Sequence, residues 1–333
     1  MASSTEVRMG VGGRPCSDGG DARDDRAAGD GQLPPFFLEA LEAQYDDPDD
    51  VARVVEGCHA RRAFTLRVNA LKSTLGEVTG ALDGAGIAHE PVPWSPEALV
   101  LPGVREDAVR ALDVYGQGKV YLQSLSAQVP ALVLDPRAGQ DILDMAAAPG
   151  GKTTQIAALT GGGAHITACE MNGGRADRLE HNLRLQGATN VTVMRMDARR
   201  LDDLFSFDRV LLDAPCSGSG TLGEGGARTR GRFTRVLVDR CVRTQTALLA
   251  KALRLAKPGS TVVYSTCSVL REENEGAIER ARRGPTRFRV LPIDVDGLGM
   301  RGLPLLPTSV AGTLQICPTG LYEGFFVARL QRL

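Results

Sequence analysis

The chain has 333 residues, of which 43% are hydrophobic and 24% are charged, and its formal net charge is −1. These values are ordinary for a soluble globular protein, and the length predicts two domains with a large core. No apolar run approaches the ~18 residues that a membrane span needs. The N-terminus shows no apolar segment of a secretory signal. We therefore expect neither a membrane span nor a secretory signal.

The cysteines and histidines predict neither disulfides nor a metal site. Seven cysteines are scattered without a C-x-x-C pair, and the odd count argues against a disulfide framework. The four histidines show no metal-ligand spacing. We therefore expect a cytoplasmic protein that binds no metal, and we expect it to act as a monomer.

Charge is distributed unevenly along the chain. Residues 1–50 hold 12 acidic and 4 basic side chains, a net charge of −8, which leaves 35 basic and 28 acidic side chains beyond them, a net charge of +7. Residues 1–32 are rich in Gly, Ser, Asp and Arg, which predicts a disordered acidic tail. The remaining basic body is compatible with a polyanionic partner, but surface arginine is equally a means of staying soluble.

Residues 33–136 predict a small α+β accessory domain. The stretch from Leu33 leads into a helix through Tyr45. A short strand follows in FTLRVNALK (residues 64–72), and the next residues, 73–77, resemble a helix cap. Short strands and turns then lead to a helix around residues 122–134.

From Gln140 onward, strands and helices alternate. Strands are predicted at residues 141–146, 164–170, 191–197, 207–213, 260–267, 288–293 and 324–331. Helices are predicted at residues 151–160, 174–187, 235–257 and 271–283, with Pro258 and Gly259 ending the longest. The alternation predicts an α/β fold over residues 137–333, a doubly wound and mainly parallel sheet. Ligands of such sheets bind at the carboxyl ends of the strands.

A loop of small residues follows the first strand of this domain. Small residues let a ligand approach the backbone, and the helix that follows offers free N–H groups and a positive dipole end. The loop is therefore a candidate nucleotide-type binding site. Its residues are Ala146, Ala147, Ala148, Pro149, Gly150 and Gly151, and Lys152 follows them.

Three acidic residues stand at the ends of the next three strands: Glu170, Asp197 and Asp213. In doubly wound sheets, the acid after the strand that follows the glycine loop binds ribose hydroxyls, which is the role predicted for Glu170. Asp197 is a candidate for an adenine amino group. The alternative is that each acid only caps a helix or loop. Three acids in register behind a glycine loop favour ligand binding.

A phosphate-binding loop is a rival interpretation of Gly151, Lys152 and Thr153. The nucleotide-hydrolase pattern G-x-x-x-x-G-K-[ST] needs glycine five residues before Gly151, and that position is Ala146. Pro149 also removes one N–H group that such a loop would direct at phosphates. Nucleotide hydrolysis therefore remains the less favoured alternative.

Two cysteines are placed where chemistry is expected. Cys216 lies in the loop that follows Asp213, and Cys267 ends the next predicted strand. Neighbouring parallel strands end at the same edge, so both thiols are expected to face one cleft beside the binding loop. The alternative is that they are small buried hydrophobic residues, which is the usual state of a free cysteine. We assign that state to the five other cysteines.

Four motifs of the chain are AAAPGGKT (residues 146–153), DAPCSG (213–218), YSTCS (264–268) and GFFVARL (324–330). Together they resemble the NOL/NOP/Sun family of RNA cytosine-5 methyltransferases, and the bacterial ribosomal-RNA members are the most similar. The LRVNALK stretch (residues 66–72) is similar to the family's N-terminal module, so the resemblance covers residues 33–330. It implies a Rossmann-like class I methyltransferase fold with S-adenosyl-L-methionine as cofactor.

The resemblance also implies a role for each site residue. Cys267 is expected to add to carbon 6 of cytosine, which makes carbon 5 nucleophilic enough to accept the methyl group. Cys216 is expected to assist breakdown of the adduct. Asp213 is expected to hydrogen-bond cytosine N3, and Lys152 to contact the cofactor or the base. Lys152 and Asp213 are thus counted with both the cofactor and the catalytic group.

The expected substrate is ribosomal RNA, with transfer RNA as an alternative. A non-catalytic RNA-binding assembly factor is a further alternative, although the intact thiols, Asp213 and Lys152 weigh against it. Residues 223–235 depart from the family's usual Arg/Pro pattern. We see no extra C-terminal RNA-binding domain, so RNA is expected to contact the N-terminal module and the basic residues of 280–289.

Overall fold

The fold is that of a computed structural model, which describes residues 33–223 and 232–333. The predicted tail, residues 1–32, lies outside this part, as do residues 224–231 of the segment that departs from the family pattern. Within the described ranges, no helix is both long and apolar enough to cross a bilayer.

The N-terminal part contains a four-stranded antiparallel sheet in the order β2-β3-β1-β4. The strands are β1 (Phe64–Val68), β2 (Glu90–Val92), β3 (Ser95–Leu101) and β4 (Val120–Leu122). The helices are α1 (Pro35–Gln44), α2 (Pro48–His59), α3 (Leu75–Gly84), α4 (Glu106–Arg110), α5 (Asp113–Gly116) and α6 (Leu125–Leu134). Local signals explain several starts. Thr74 and Glu77, for example, form a capping box at α3.

The C-terminal part contains a nine-stranded sheet in the described residues. Its strands are β5 (Asp141–Asp144), β6 (His165–Cys169), β7 (Val191–Met194), β8 (Phe207–Asp213), β9 (Ala256–Thr266), β10 (Phe288–Leu291), β11 (Leu305–Leu306), β12 (Leu314–Ile316) and β13 (Phe325–Arg332). Its helices are α7 (Gly151–Leu159), α8 (Gly173–Gln186), α9 (Arg235–Leu255) and α10 (Glu275–Arg282).

Strands β5 to β9 are parallel and stand in the order β9-β8-β5-β6-β7, and β13 joins β9 in the antiparallel sense. Successive β5 residues face opposite sides of the sheet. Ile142 packs in the core with α6, α7 and α8, whereas Leu143 packs in the core with α9 and α10. Helices therefore cover both faces, which confirms the doubly wound fold. The strand order reverses between β5 and β8, where such sheets bind ligands.

The end of the longest helix differs from the prediction. α9 ends at Leu255, and Pro258 and Gly259 lie within β9, in an irregular stretch of its pairing with β8. The residue before a proline is disfavoured in the helical region, so Lys257 cannot continue the helix. The chain therefore leaves the helix two residues before the predicted end at 257.

The N-terminal part and the large sheet share packed surfaces. Phe37 of α1 meets Phe233 edge-on, with ring centroids 5.4 Å apart. Helix α6 lies before residue 136, yet Leu125 and Val129 belong to the core of the large sheet. The boundaries 33–136 and 137–333 stay predictions.

Arg67 of β1 forms a polar connection between the two parts. Its side chain is buried, and it donates to Gln123 Oε1 at 3.0 Å and to Thr154 Oγ1 of α7 at 3.1 Å. Its guanidinium lies 5.9 Å from the ring centroid of Tyr121. Burial lowers the pKa of Arg67 to about 10. The small sheet thus supports the first turn of α7, which follows the small-residue loop.

Replacement of Arg67 by alanine is expected to lower the free energy of unfolding by about 2–3 kcal/mol, because buried partners of a charged group lose their hydrogen bonds. Urea denaturation measures the loss. Arg105→Ala is the control, since Arg105 pairs with Asp107 on the surface and its loss is expected to cost less than about 1 kcal/mol. Equal losses in the two variants would contradict the connecting role of Arg67.

Candidate active site

The small-residue loop, residues 146–151, joins β5 to α7. Gly150 adopts φ +109°, and a Cβ there would lie 3.0 Å from Leu179 Cδ1, so only glycine fits without strain. No side chain caps α7, which begins at Gly151. Within the described residues, the first N–H groups of α7 therefore have no intrahelical acceptor and no capping side chain, and they form a positive end at the loop.

Side chains of α8 hold the carbonyl oxygens of this loop. Arg175 donates to Ala148 O at 2.8 Å, and Asn182 donates to Pro149 O at 2.8 Å. With these carbonyl groups occupied on the α8 side, the backbone shape of the loop is set before any ligand binds.

The acids predicted to bind the cofactor lie beside this loop with different partners. Glu170, directly after β6, is buried and accepts from Asn172 N at 2.8 Å. Asp197, after β7, accepts from the guanidinium of Arg199 and caps a short 3₁₀ turn. Arg199 lowers the pKa of Asp197. Asp197 therefore performs the capping role that was the alternative, and its contact with adenine stays a prediction.

Asp144, the last residue of β5, is a site residue that sequence reasoning missed. Its side chain is 1% exposed, and Oδ2 accepts from Thr153 Oγ1 at 2.7 Å. Oδ1 has no hydrogen-bond partner within the described residues. Burial raises the pKa of Asp144 to about 6. The signal was present, because Asp144 is an acid at a strand end like the three that were chosen.

Asp213 and Lys152 form an ion pair across the point where the strand order reverses. Lys152 Nζ lies 2.7 Å from Asp213 Oδ2, and Ser265 Oγ of β9 donates to Asp213 Oδ1 at 2.8 Å. Burial lowers the pKa of Lys152, but the charge and hydrogen bond of Asp213 outweigh burial, so the pKa lies above its ordinary value. Lys152 also lies 5.3 Å from the ring centroid of Phe325. The ammonium of Lys152 thus pairs with Asp213, which does not favour the phosphate-binding role considered for it above.

The two predicted cysteines meet at the same edge. Cys216 follows β8, Cys267 follows β9, and their Sγ atoms are 3.2 Å apart. Both are partly exposed, whereas the other cysteines of the described ranges are buried. The hydrogen bond to Cys267 and burial raise the pKa of Cys216 well above its ordinary value. A protonated Cys216 can therefore donate the hydrogen bond to Cys267 Sγ.

The predicted residues form two adjacent groups. The loop, Glu170 and Asp197 line the ends of β5, β6 and β7, whereas the Lys152–Asp213 pair and the thiols lie at β8 and β9. In the described part of the chain, no cluster of three or more His, Cys, Asp or Glu side chains is arranged to hold a metal.

Comparison with known proteins agrees with this arrangement. A family model described as 16S rRNA methyltransferase RsmB/F matches residues 131–331. The chain belongs to the RsmB/F methyltransferase family. A second model, the ferredoxin-like domain of RsmF/B-like methyltransferases, matches residues 33–105. The resemblance to the NOL/NOP/Sun family is confirmed.

Individual relatives extend over most of this RsmB/F chain. Ribosomal RNA small subunit methyltransferase F of Erwinia tasmaniensis is 32% identical over 311 residues, which cover 90% of this chain and 64% of the relative. The human 28S rRNA (cytosine(4447)-C(5))-methyltransferase is 32% identical, over 85% of this chain and 36% of the relative. The crystal structure of a methyltransferase homologue from Pyrococcus horikoshii superposes with a TM-score of 0.73 at 29% identity, covering 90% of this chain and all (100%) of the other. The chain thus spans less than two thirds of the length of the first two relatives.

The raised pKa of Asp144 predicts a pH-dependent effect of Asp144→Asn. The folded-state pKa of about 6 exceeds 3.8, so ionisation costs stability above that pKa and costs nothing below 3.8. Asp144→Asn should therefore raise the free energy of unfolding by about 3 kcal/mol at pH 8, with the gain shrinking toward pH 4. Urea denaturation between pH 4 and pH 8 measures this gain.

Asp208→Asn is a control for which the opposite dependence of stability on pH is expected. Lys257 lowers the pKa of Asp208, so its ionised form stabilises the fold at neutral pH and that contribution is lost as the pH falls. Asp208→Asn should therefore destabilise at pH 8. A gain for Asp144→Asn that did not change with pH would contradict the assignment of its effect to ionisation.

Proposed function

We propose that the chain transfers a methyl group from S-adenosyl-L-methionine to carbon 5 of a cytosine in ribosomal RNA. The observation that carries this proposal is the pair of thiols, 3.2 Å apart, at the sheet edge that also holds the Lys152–Asp213 ion pair. Membership of the RsmB/F family and the printed activities of the relatives support it.

The residues at the loop fit this methyl donor. Gly150 and the uncapped start of α7 leave room and N–H groups for a carboxylate, and Glu170 offers a buried carboxylate for ribose hydroxyls. The unpaired Oδ1 of Asp144 is an acceptor suited to the donor's ammonium group. When bound, S-adenosyl-L-methionine supplies an electrophilic methyl group.

Cytosine carbon 5 is a weak nucleophile, and covalent addition of a thiol to the base makes it a stronger one. In the proposed reaction, the Cys267 thiolate bonds to carbon 6 and electron density shifts to carbon 5. Two groups lie close to the Cys267 sulfur, the Cys216 thiol at 3.2 Å and the ammonium of Lys152. After methylation, carbon 5 must lose its proton before the bond to Cys267 breaks, and Cys216 assists this loss directly or indirectly.

The ion pair serves the opposite side of the base. Addition of a thiolate to carbon 6 places negative charge on the pyrimidine ring, and a proton offered to N3 stabilises it. Lys152 Nζ lies 2.7 Å from Asp213 Oδ2, and Ser265 fixes the Asp213 carboxylate. We infer that the Lys152–Asp213 pair supplies the donor of a hydrogen bond to cytosine N3.

The wider biological setting is also part of this proposal. We propose that residues 33–136 form the accessory domain that binds RNA, together with basic residues of 280–289. The six cysteines of the described residues are free thiols, which suits a reducing cytoplasm. That the chain acts as a monomer stays a prediction. Transfer RNA remains the alternative substrate.

Separate cysteine variants are expected to fail at different steps. Cys267→Ala should lower methyl transfer at least about 1,000-fold, because no group adds to carbon 6. Cys216→Ala should accumulate a protein–RNA adduct that resists denaturant, because the adduct forms but breaks down slowly. Labelled S-adenosyl-L-methionine and denaturing gels measure the two effects. The control Cys241→Ala, at a buried cysteine of α9, should form normal product without an adduct. Normal transfer by Cys267→Ala would reject the nucleophile assignment.

The RNA class has its own test. Deletion of the gene should remove 5-methylcytosine from one position of ribosomal RNA, and the wild-type gene should restore it while the Cys267→Ala gene should not. Bisulfite sequencing of total RNA reads ribosomal and transfer RNA in the same sample. Loss confined to transfer RNA would replace the ribosomal assignment by the alternative.

A further inference from the structure

A buried carboxylate connects the two cysteine loops. Glu273 lies between β9 and α10, and its side chain is 0% exposed. Ser217, the residue after Cys216, donates its backbone N–H to Glu273 at 2.8 Å and its hydroxyl at 2.5 Å. Ser268, the residue after Cys267, donates its hydroxyl at 2.7 Å. Both loops therefore bind the same carboxylate.

Helix α9 supplies a further donor to this carboxylate. Gln245 is fully buried, and its Nε2 donates to Glu273 Oε1 at 3.0 Å and to Pro215 O at 3.0 Å. The two carboxylate oxygens thus accept four hydrogen bonds from three segments. Bonds to a charged acceptor are stronger than neutral ones, and a buried carboxylate depends on them for stability. Separating the two cysteine loops would therefore take away up to three of these four hydrogen bonds, which favours keeping the loops together.

We propose that Glu273 is a positioning residue that fixes the distance between the two thiols, a role that rests on the two-thiol chemistry proposed above. It touches neither sulfur through a hydrogen bond. Instead it binds the residues that directly follow Cys216 and Cys267, so the sulfurs stay 3.2 Å apart. Misplacement of reacting groups by about 1 Å lowers rates by up to about 100-fold.

Three variants separate this role from a general contribution to folding. Glu273→Gln keeps the shape but removes the charge and turns one acceptor oxygen into a donor, so at least one hydrogen bond from a cysteine loop or from α9 is lost or reversed. Ser217→Ala removes a single hydroxyl and leaves the backbone N–H bond to Glu273. Glu272→Gln is the matched control, because Glu272 is the adjacent residue and forms a surface ion pair with Arg235.

The first measurement needs neither RNA nor methyl donor. Phenylarsine oxide bridges two thiols only when they are close, and peptide mapping identifies the bridge between Cys216 and Cys267. The wild-type protein and Glu272→Gln are expected to react at the same rate. Glu273→Gln should react at least 10-fold more slowly, and Ser217→Ala should react at an intermediate rate. Wild-type bridging rates in both Ser217→Ala and Glu273→Gln, or in Ser217→Ala alone if Glu273→Gln does not fold, would overturn the proposal.

The second measurement is steady-state methylation of ribosomal RNA from cells that lack the gene. Glu273→Gln and Ser217→Ala are expected to lower kcat, by at least 10-fold for Glu273→Gln, while KM for S-adenosyl-L-methionine stays within twofold. A raised KM with unchanged kcat would contradict positioning of the thiols. If the wild-type protein methylates no RNA, the proposed function fails, and the arsenical rates still decide the role of Glu273.

Discussion

The parallel pairing of β8 with β9 is the constraint on which the site depends. This register places Asp213 opposite Ser265, and Ala214 N then donates to Ser265 O at 2.8 Å. The loops that leave these strands start side by side, which brings Cys216 and Cys267 into contact. A one-residue slip in either strand would turn its side chains to the other face of the sheet. The chemistry of the thiols therefore depends on backbone hydrogen bonds in the middle of the sheet.

The candidate site contains one buried carboxylate whose hydrogen bonds are incomplete and one whose charge is balanced by neighbouring groups. Within the described residues, the buried Asp144 keeps one oxygen without a donor, and burial raises its pKa to about 6. By contrast, Asp213 is balanced by Lys152 and Ser265. Unbalanced buried groups concentrate at functional sites, because a ligand completes their hydrogen bonds. Asp144 lies at the end of β5 beside the small-residue loop, whereas the balanced pair lies at the edge that holds the two thiols.

Much of the fold was predictable because local signals and periodicity agree. The alternation after Gln140 identified the strands of the parallel sheet, and small-residue and Pro-Cys loops marked their ends. The prediction places the end of α9 at residue 257, and the structure ends it at Leu255, because a proline also restricts the residue before it. Asp144 lies at the end of the first parallel strand, whereas the predicted acids lie at the ends of the next three.

The sequence by itself determined the fold class, the binding loop and the two cysteines, since each depends on residue types at short spacing. Only the tertiary structure decided which groups meet. Arg67 reaches α7 from the small sheet, and Glu273 binds residues 56 and 5 positions away. Such contacts depend on how strands pair and helices pack, and no local pattern encodes them. The physical reason is that hydrogen bonds between distant segments form only after the sheet has set their positions.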